Sequence, residues 1–210
     1  MRNMNDILRQ AQVMQGKLAK LQQEMGERTY EAASGGGMVK AEVSGRQELR
    51  KLTIDPKALE FSDRIRWICE HECPMCGKSW ACPPGVGSVT YCKAKCRSYE
   101  NCLMISTIVE VEDITDINET LATRPEHEEI TNAVRDLMRA QNVEPYVLST
   151  EACAICDSCA YLEGKPCRYP DRMHPCVESH GINVIPVLEE NGINFQFGAN
   201  VVTWISLLFY

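Results

Sequence analysis

All twelve cysteines of this 210-residue chain fall between Cys69 and Cys176. Residues 61–210 therefore hold 12 cysteines in 150 positions, about 8%, while residues 1–60 hold none. The chain opens on a polar helix pattern with no apolar signal-peptide core, so export is not expected and the thiols are expected to stay reduced. Cysteine at that density in a reducing compartment points to metal rather than to disulfides.

The cysteines come in three groups. The first is Cys69-x3-Cys73-x2-Cys76-x5-Cys82, followed by Pro83 and Pro84. The second is Cys92-x3-Cys96-x5-Cys102, and the third is Cys153-x2-Cys156-x2-Cys159-x7-Cys167, with Cys176 beyond it. Two intervening residues let one turn aim two sulfurs at one centre, and thiolates are soft ligands suited to zinc or iron–sulfur clusters. Zinc sites usually pair two distant Cys-x2-4-Cys units, whereas a triplet with a separate fourth cysteine resembles the ferredoxin run. The third group is therefore read as a [4Fe–4S] site, with zinc as the alternative. Cys69, Cys73, Cys76 and Cys82 hold a second centre or lend ligands to another one. The second group reads as free or buried cysteines, or as part of a further site.

The remaining chemistry is thin. His71 is a minor ligand candidate. His174 and His180 read as surface or capping residues, and His127, among glutamates, as solvated. Pro83-Pro84-Gly85-Val86-Gly87 lacks the Lys-Ser/Thr of a phosphate loop, and no serine nucleophile elbow is present. Cys167 or Cys176 as a nucleophile has no motif around it. No catalytic residue is assigned; a non-enzymatic role is favoured, with an enzyme in which one cluster iron binds substrate left open.

The first 60 residues differ in character. Met4, Ile7, Ala11, Met14, Leu18, Leu21 and Met25 alternate three- and four-residue steps, a coiled-coil-like seam that wants a partner helix. Gly35-Gly36-Gly37 breaks the helix. Strands then follow around Val39–Val43 and Leu52–Ile54, with a short one at Tyr30–Ala33, and Pro56 ends the pattern. Residues 1–60 carry a net charge of +2 and residues 61–210 a net of −9, which together give the −7 of the chain. The second part therefore lacks the basic surface that phosphate binding needs.

Met4-Asn5-Asp6, the Gln- and Met-rich helix, Gly35-Gly36-Gly37-Met38-Val39-Lys40 and Ile54-Asp55-Pro56 together resemble the YbaB/EbfC family of nucleoid-associated proteins. The resemblance implies a homodimer that binds DNA without strong sequence preference, here weakly. Arg2, Arg9, Lys17 and Lys20 are the candidate contacts. Family members continue into a long C-terminal helix, whereas this sequence changes at Phe61, so the resemblance is to a truncated copy.

Beyond residue 61, Leu103–Val111, Tyr146–Leu148, Ile182–Leu188 and Val201–Phe209 read as strands. Pro125–Gln141 reads as a helix with Ile130, Val134, Leu137 and Met138 on one face. Cys176–His180 reads as a short helix ending at Gly181, and Asn191-Gly192 as a turn. The longest apolar run, Val201–Tyr210, is too short to span a membrane and reads as a buried terminal strand. The fold class is α+β: a long helix with a small antiparallel sheet over residues 1–60, then a layered, cysteine-rich metal-binding domain over 61–210.

Cys69, Cys73, Gly77-Lys78, Trp80, Cys82-Pro83-Pro84, Cys153, Cys156, Cys159 and Gly164-x-Pro166-Cys167-Arg168-x-Pro170, continuing through Glu178 and Gly181-Ile182-Asn183-Val184, resemble the domain-of-unknown-function 2284 family. That resemblance implies a metal-binding, iron–sulfur protein without an established reaction. Cys76, Cys92, Cys96, Cys102 and Cys176 depart from its pattern. The combined expectation is a cytoplasmic or nucleoid-located protein with one or two [4Fe–4S] clusters, an electron-transfer or accessory role and a redox partner protein. The alternative is a DNA-binding nucleoid protein with a structural zinc domain.

Overall fold

The computed structural model describes residues 29–34, 39–44, 49–190 and 199–210, together with Lys17 and Lys20, which are helical and exposed. The seam from Met4 to Met25, Arg2, Arg9, the glycine break at 35–37 and the Asn191-Gly192 turn lie outside the described residues.

The alternating segments become strands β1 (Thr29–Ser34), β2 (Val39–Ser44) and β3 (Leu49–Ile54). Asp55 then caps a 3-10 turn at Pro56–Ala58 by accepting from the Lys57 N–H. β4 (Glu60–Phe61), α1 (Asp63–His71), α2 (Val89–Cys96), β5 (Cys102–Glu110), α3 (Ile117–Ala122) and α4 (Arg124–Ala140) follow. β6 (Tyr146–Leu148), a 3-10 turn at Ala160–Glu163, another at Glu178–His180, β7 (Ile182–Asn183), α5 (Ile185–Glu190) and β8 (Val201–Phe209) complete the order. The main sheet runs β1-β2-β3-β5-β8-β6 with every pair antiparallel, and β4 pairs with β7 separately. The molecule is thus α+β.

β8 is the apolar terminal run, and it lies between β5 and β6, buried along nearly its whole length. Register sets its two faces. Leu52, Met104, Leu207 and Leu148 form one cross-strand row, and Ile54, Cys102, Phe209 and Tyr146 the next. These residues join Val39, Leu59, Val177 and Ile182 in one hydrophobic cluster, so residues on either side of position 60 share a sheet and a core. Alternate residues of β8 face α4.

That interface corrects the expected helix face. Ile130 and Leu137 are exposed, and α4 instead buries His127, Thr131 and Arg135. The reason is Ser206, which β8 presents toward the helix without solvent contact. His127 bonds Thr107 Oγ1 through Nδ1 (2.9 Å) and Ser206 Oγ through Nε2 (2.8 Å), and Thr131 Oγ1 donates to Ser206 Oγ at 3.0 Å. Burial holds the His127 pKa down to about 4, so its expected solvated role is also wrong.

A second correction lies at 182–188. The strand stops at Asn183 and the chain turns helical from Ile185. Pro186 cannot donate to a sheet ladder but suits the first turn of a helix, and Asn183 Oδ1 accepts from the Ile185 N–H at 3.3 Å.

Candidate metal centre

α1 is started by Ser62, whose hydroxyl accepts from the Arg64 N–H, and it buries Arg66 and Cys69 on one face. Arg66 donates to the carbonyls of Ser179 and of Gly87 (2.7 Å for the latter) and pairs with Glu70 at 2.7 Å. The guanidinium thereby ties α1 to the turn after Cys176 and to the loop after Cys82. In that loop the Gly77 N–H donates to Pro83 O at 2.7 Å, and the Cys82 N–H to Ser79 O at 3.2 Å. A Cβ on Gly85 would lie 3.0 Å from Ser79 O and 3.1 Å from Trp80 Cα. Glycine is needed there for a close backbone approach, not for a phosphate.

Cys176 arrives from the far end of the chain through a parallel bridge to Ser149. The Ser149 N–H donates to Pro175 O at 2.9 Å and the Val177 N–H to Ser149 O at 3.0 Å. As a result Cys69, Cys73, Cys76, Cys82 and Cys176 line one cavity of about 500 Å³. Burial pushes the Cys82 thiol up to about 12, with Cys176, Cys73, Cys76 and Cys153 adding to the rise. A hydrogen bond with the Cys69 thiol, then burial, raise Cys176 above its ordinary value.

Cys153, Cys156, Cys159 and Cys167 line a second, much smaller cavity of about 20 Å³, with Arg168 and Tyr169. Gly164, at φ 66°, ends the intervening 3-10 turn in the left-handed region that glycine favours. Trp80 Nε1 donates to Lys165 O at 2.9 Å and its ring meets Tyr161 edge-on at 4.9 Å, which joins the first loop to the third. Arg168 donates to Ser158 O at 2.7 Å and to Glu163 Oε1 at 3.2 Å, and lies near the Cys156 thiol. Burial raises Cys153. At Cys159 burial opposes ionisation, but bonds from the Tyr161 and Trp80 backbone and the Ser79 hydroxyl outweigh it and lower the pKa.

The second group sits elsewhere. Cys92, Cys96 and Cys102 are fully buried, and Cys96 and Cys102 belong to the main apolar cluster. Cys92 Sγ donates to Val86 O at 3.4 Å. Burial pushes Cys96 up to about 12 and Cys102 well above its ordinary value, so these thiols pack as small apolar groups. His71 stacks on Trp67 and lines neither cysteine cavity. His180 is not a surface residue: its Nε2 meets Tyr146 Oη at 2.6 Å and its Nδ1 meets Ser179 Oγ at 3.1 Å, and burial lowers its pKa to about 3. His174 Nε2 lies 3.2 Å from both Arg135 Nη1 and Asn132 Oδ1, only one of which it can bond in a given tautomer, and burial holds its pKa near 4.

Among the described residues no group of three or more His, Cys, Asp or Glu side chains converges as ligands for a metal ion. Nine of the twelve thiols, all free, line adjoining cavities instead. The donor set still suits a thiolate-held centre, because it is dominated by soft sulfur. The larger cavity also holds a buried hydroxyl, Thr150 Oγ1, with no hydrogen-bond partner. Cys176 and Thr150 are the site residues that spacing alone does not reveal.

A sheet-and-helix scaffold that presents thiols on two adjoining loops defines a cysteine-rich, metal-binding class. The chain belongs to the family described as predicted metal-binding protein (DUF2284), whose model matches residues 52–210. The model of the YbaB/EbfC DNA-binding family matches residues 1–66. Over 63 residues the chain is 52% identical to a nucleoid-associated protein of Moorella thermoacetica, covering 30% of this chain and 61% of that one. It is 44% identical over 61 residues to one of Caldanaerobacter subterraneus subsp. tengcongensis (29% and 55%) and 51% identical over 61 residues to one of Streptomyces avermitilis (29% and 54%). The chain thus spans little more than half the length of these relatives. No solved structure matches the chain. No helix among the described residues is long and apolar enough to cross a membrane.

Proposed function

We propose that this protein binds one or two [4Fe–4S] clusters through its cysteine loops and serves as an electron-transfer or accessory protein for a redox partner. Two adjoining cavities lined by Cys69, Cys73, Cys76, Cys82 and Cys176 and by Cys153, Cys156, Cys159 and Cys167 carry the reading. A cluster there supplies one-electron chemistry when bound. The chain's own part is to offer thiolates, to surround them with apolar wall and to aim hydrogen bonds at sulfur. The backbone amides of Tyr161 and Trp80 and the Ser79 hydroxyl favour ionised sulfur at Cys159 in the third group.

Residues 1–60 act in this proposal as a partial nucleoid-associated segment that drives homodimerisation and weak DNA binding through Arg2, Arg9, Lys17 and Lys20. Residues 61–210 form the metal-binding part, and the location is the cytoplasm or nucleoid. The family match over residues 1–66 and the names of the similar proteins support this. One observation favours a second reading for the third group. A space of about 20 Å³ is ion-sized, little more than the ~10–15 Å³ that holds one water, which suits a structural zinc.

Single substitution under anaerobic conditions tests the third site. Cys156→Ser and Cys167→Ser are expected to lose the same iron centre, while Cys92→Ser and Cys102→Ser keep it. Full iron and an unchanged visible spectrum in Cys167→Ser would move the fourth ligand elsewhere.

A further inference from the structure

The larger cavity contains one thiol more than a four-iron cluster needs from cysteine. Hydrogen bonding distinguishes two of the five. Cys76 Sγ donates to Pro83 O at 3.6 Å, within its own loop. Cys176 Sγ instead accepts the buried Ser179 N–H at 3.2 Å, the kind of amide bond that supports a thiolate ligand, and it lies near the Cys69 thiol in the same cavity. Cys82 lies within electrostatic reach of Cys176, Cys73, Cys76 and Cys153, so it sits at the centre of the group.

Thr150 supplies an independent observation. Its hydroxyl oxygen is buried and has no hydrogen-bond partner, and the residue lines the same cavity. Buried hydroxyls are nearly always paired, so an orphan marks a partner the protein chain does not itself provide. The adjoining Ser149–Cys176 bridge fixes Thr150 beside Cys176. Glu151 and Glu178 also line the cavity, but carboxylates are hard ligands that a sulfur-rich centre does not require.

We propose that Cys176, with Cys69, Cys73 and Cys82, holds a cluster in this cavity, and that the Thr150 hydroxyl donates a hydrogen bond to one of its sulfurs. The proposal rests on the iron–sulfur reading above. It makes Cys76 dispensable for binding and gives Thr150 a tuning role. A hydrogen bond to sulfur stabilises the more negative, reduced state and so raises the reduction potential.

The test uses the full chain purified anaerobically, with iron, sulfide and reduction potential measured for each variant. Cys176→Ser is expected to lose the same cluster as Cys69→Ser, while Cys156→Ser retains that cluster and Cys76→Ser retains full iron. Thr150→Val is expected to keep its iron but titrate at a lower potential, and Thr150→Ser, which keeps the hydroxyl, to titrate as wild type. The threonine pair keeps the proposal testable should Cys176→Ser fail to fold. Full iron in Cys176→Ser, or an unmoved potential in Thr150→Val, overturns the inference and leaves the iron–sulfur reading standing. A wild-type protein without iron overturns that reading itself.

Discussion

His127 has both ring nitrogens engaged by hydroxyls and no solvent contact, so it has little room for a second proton. Its pKa of about 4 against the ordinary 6.5 means that the folded state binds fewer protons than the unfolded state between those values. Stability contributed by neutral His127 is therefore full above pH 6.5 and lost as pH falls toward 4. The loss is on the order of 2 kcal/mol by about pH 5. Urea unfolding at pH 7 and pH 5 checks this: His127→Gln is expected to be less pH-sensitive than wild type, with His174 and His180 supplying the slope that remains. At this scale the sequence is a poor guide. His127 stands among glutamates and reads as solvated, because its partners Thr107 and Ser206 are far away in the chain. Cys176 is obscure for the same reason, since the bridge to Ser149 and the Arg66 bond to Ser179 O bring it to the first cysteine group.

Elements were easier to read than residues where one periodicity acts alone. β1, β2, β3, β5, β6 and β8 follow alternation or an apolar run, and α4 follows its acidic first turn and Pro125. The misreading at 182–188 came from an apolar stretch that suits strand or helix equally, and Pro186 decided it. Pairing was not legible. β3 lies against β5 across the change in composition at Phe61, and local pattern carries no information on such a partner. Ile54, fully buried in that row, gives the corresponding prediction. Ile54→Ala is expected to cost about 2–5 kcal/mol in urea unfolding, with tryptophan fluorescence and circular dichroism reporting one shared transition. Gly85→Ala is expected to destabilise by about 1–3 kcal/mol, because its methyl would meet the backbone of residues 79 and 80. Wild-type stability in Gly85→Ala would show that the loop yields at no cost.

For the whole molecule, charge and thiol distribution separate two roles. Residues 61–210 carry the net −9, so DNA retention is expected only through residues 1–60 and should fall steeply between low and physiological salt. Filter retention across a salt series checks this, and tight binding that survives physiological salt, or binding by residues 61–210 alone, would contradict it. The cysteine spacings made the two groups of candidate ligands legible, but not the larger cavity's fifth thiol or its orphan hydroxyl, which depend on the fold. The central claim concerns what the thiols hold. Iron, acid-labile sulfide and zinc measured together on the anaerobically purified full chain test it most directly. The account predicts a brown protein with about four to eight irons per chain and matching sulfide, as one or two [4Fe–4S] clusters require. A colourless protein with stoichiometric zinc and no sulfide would contradict it.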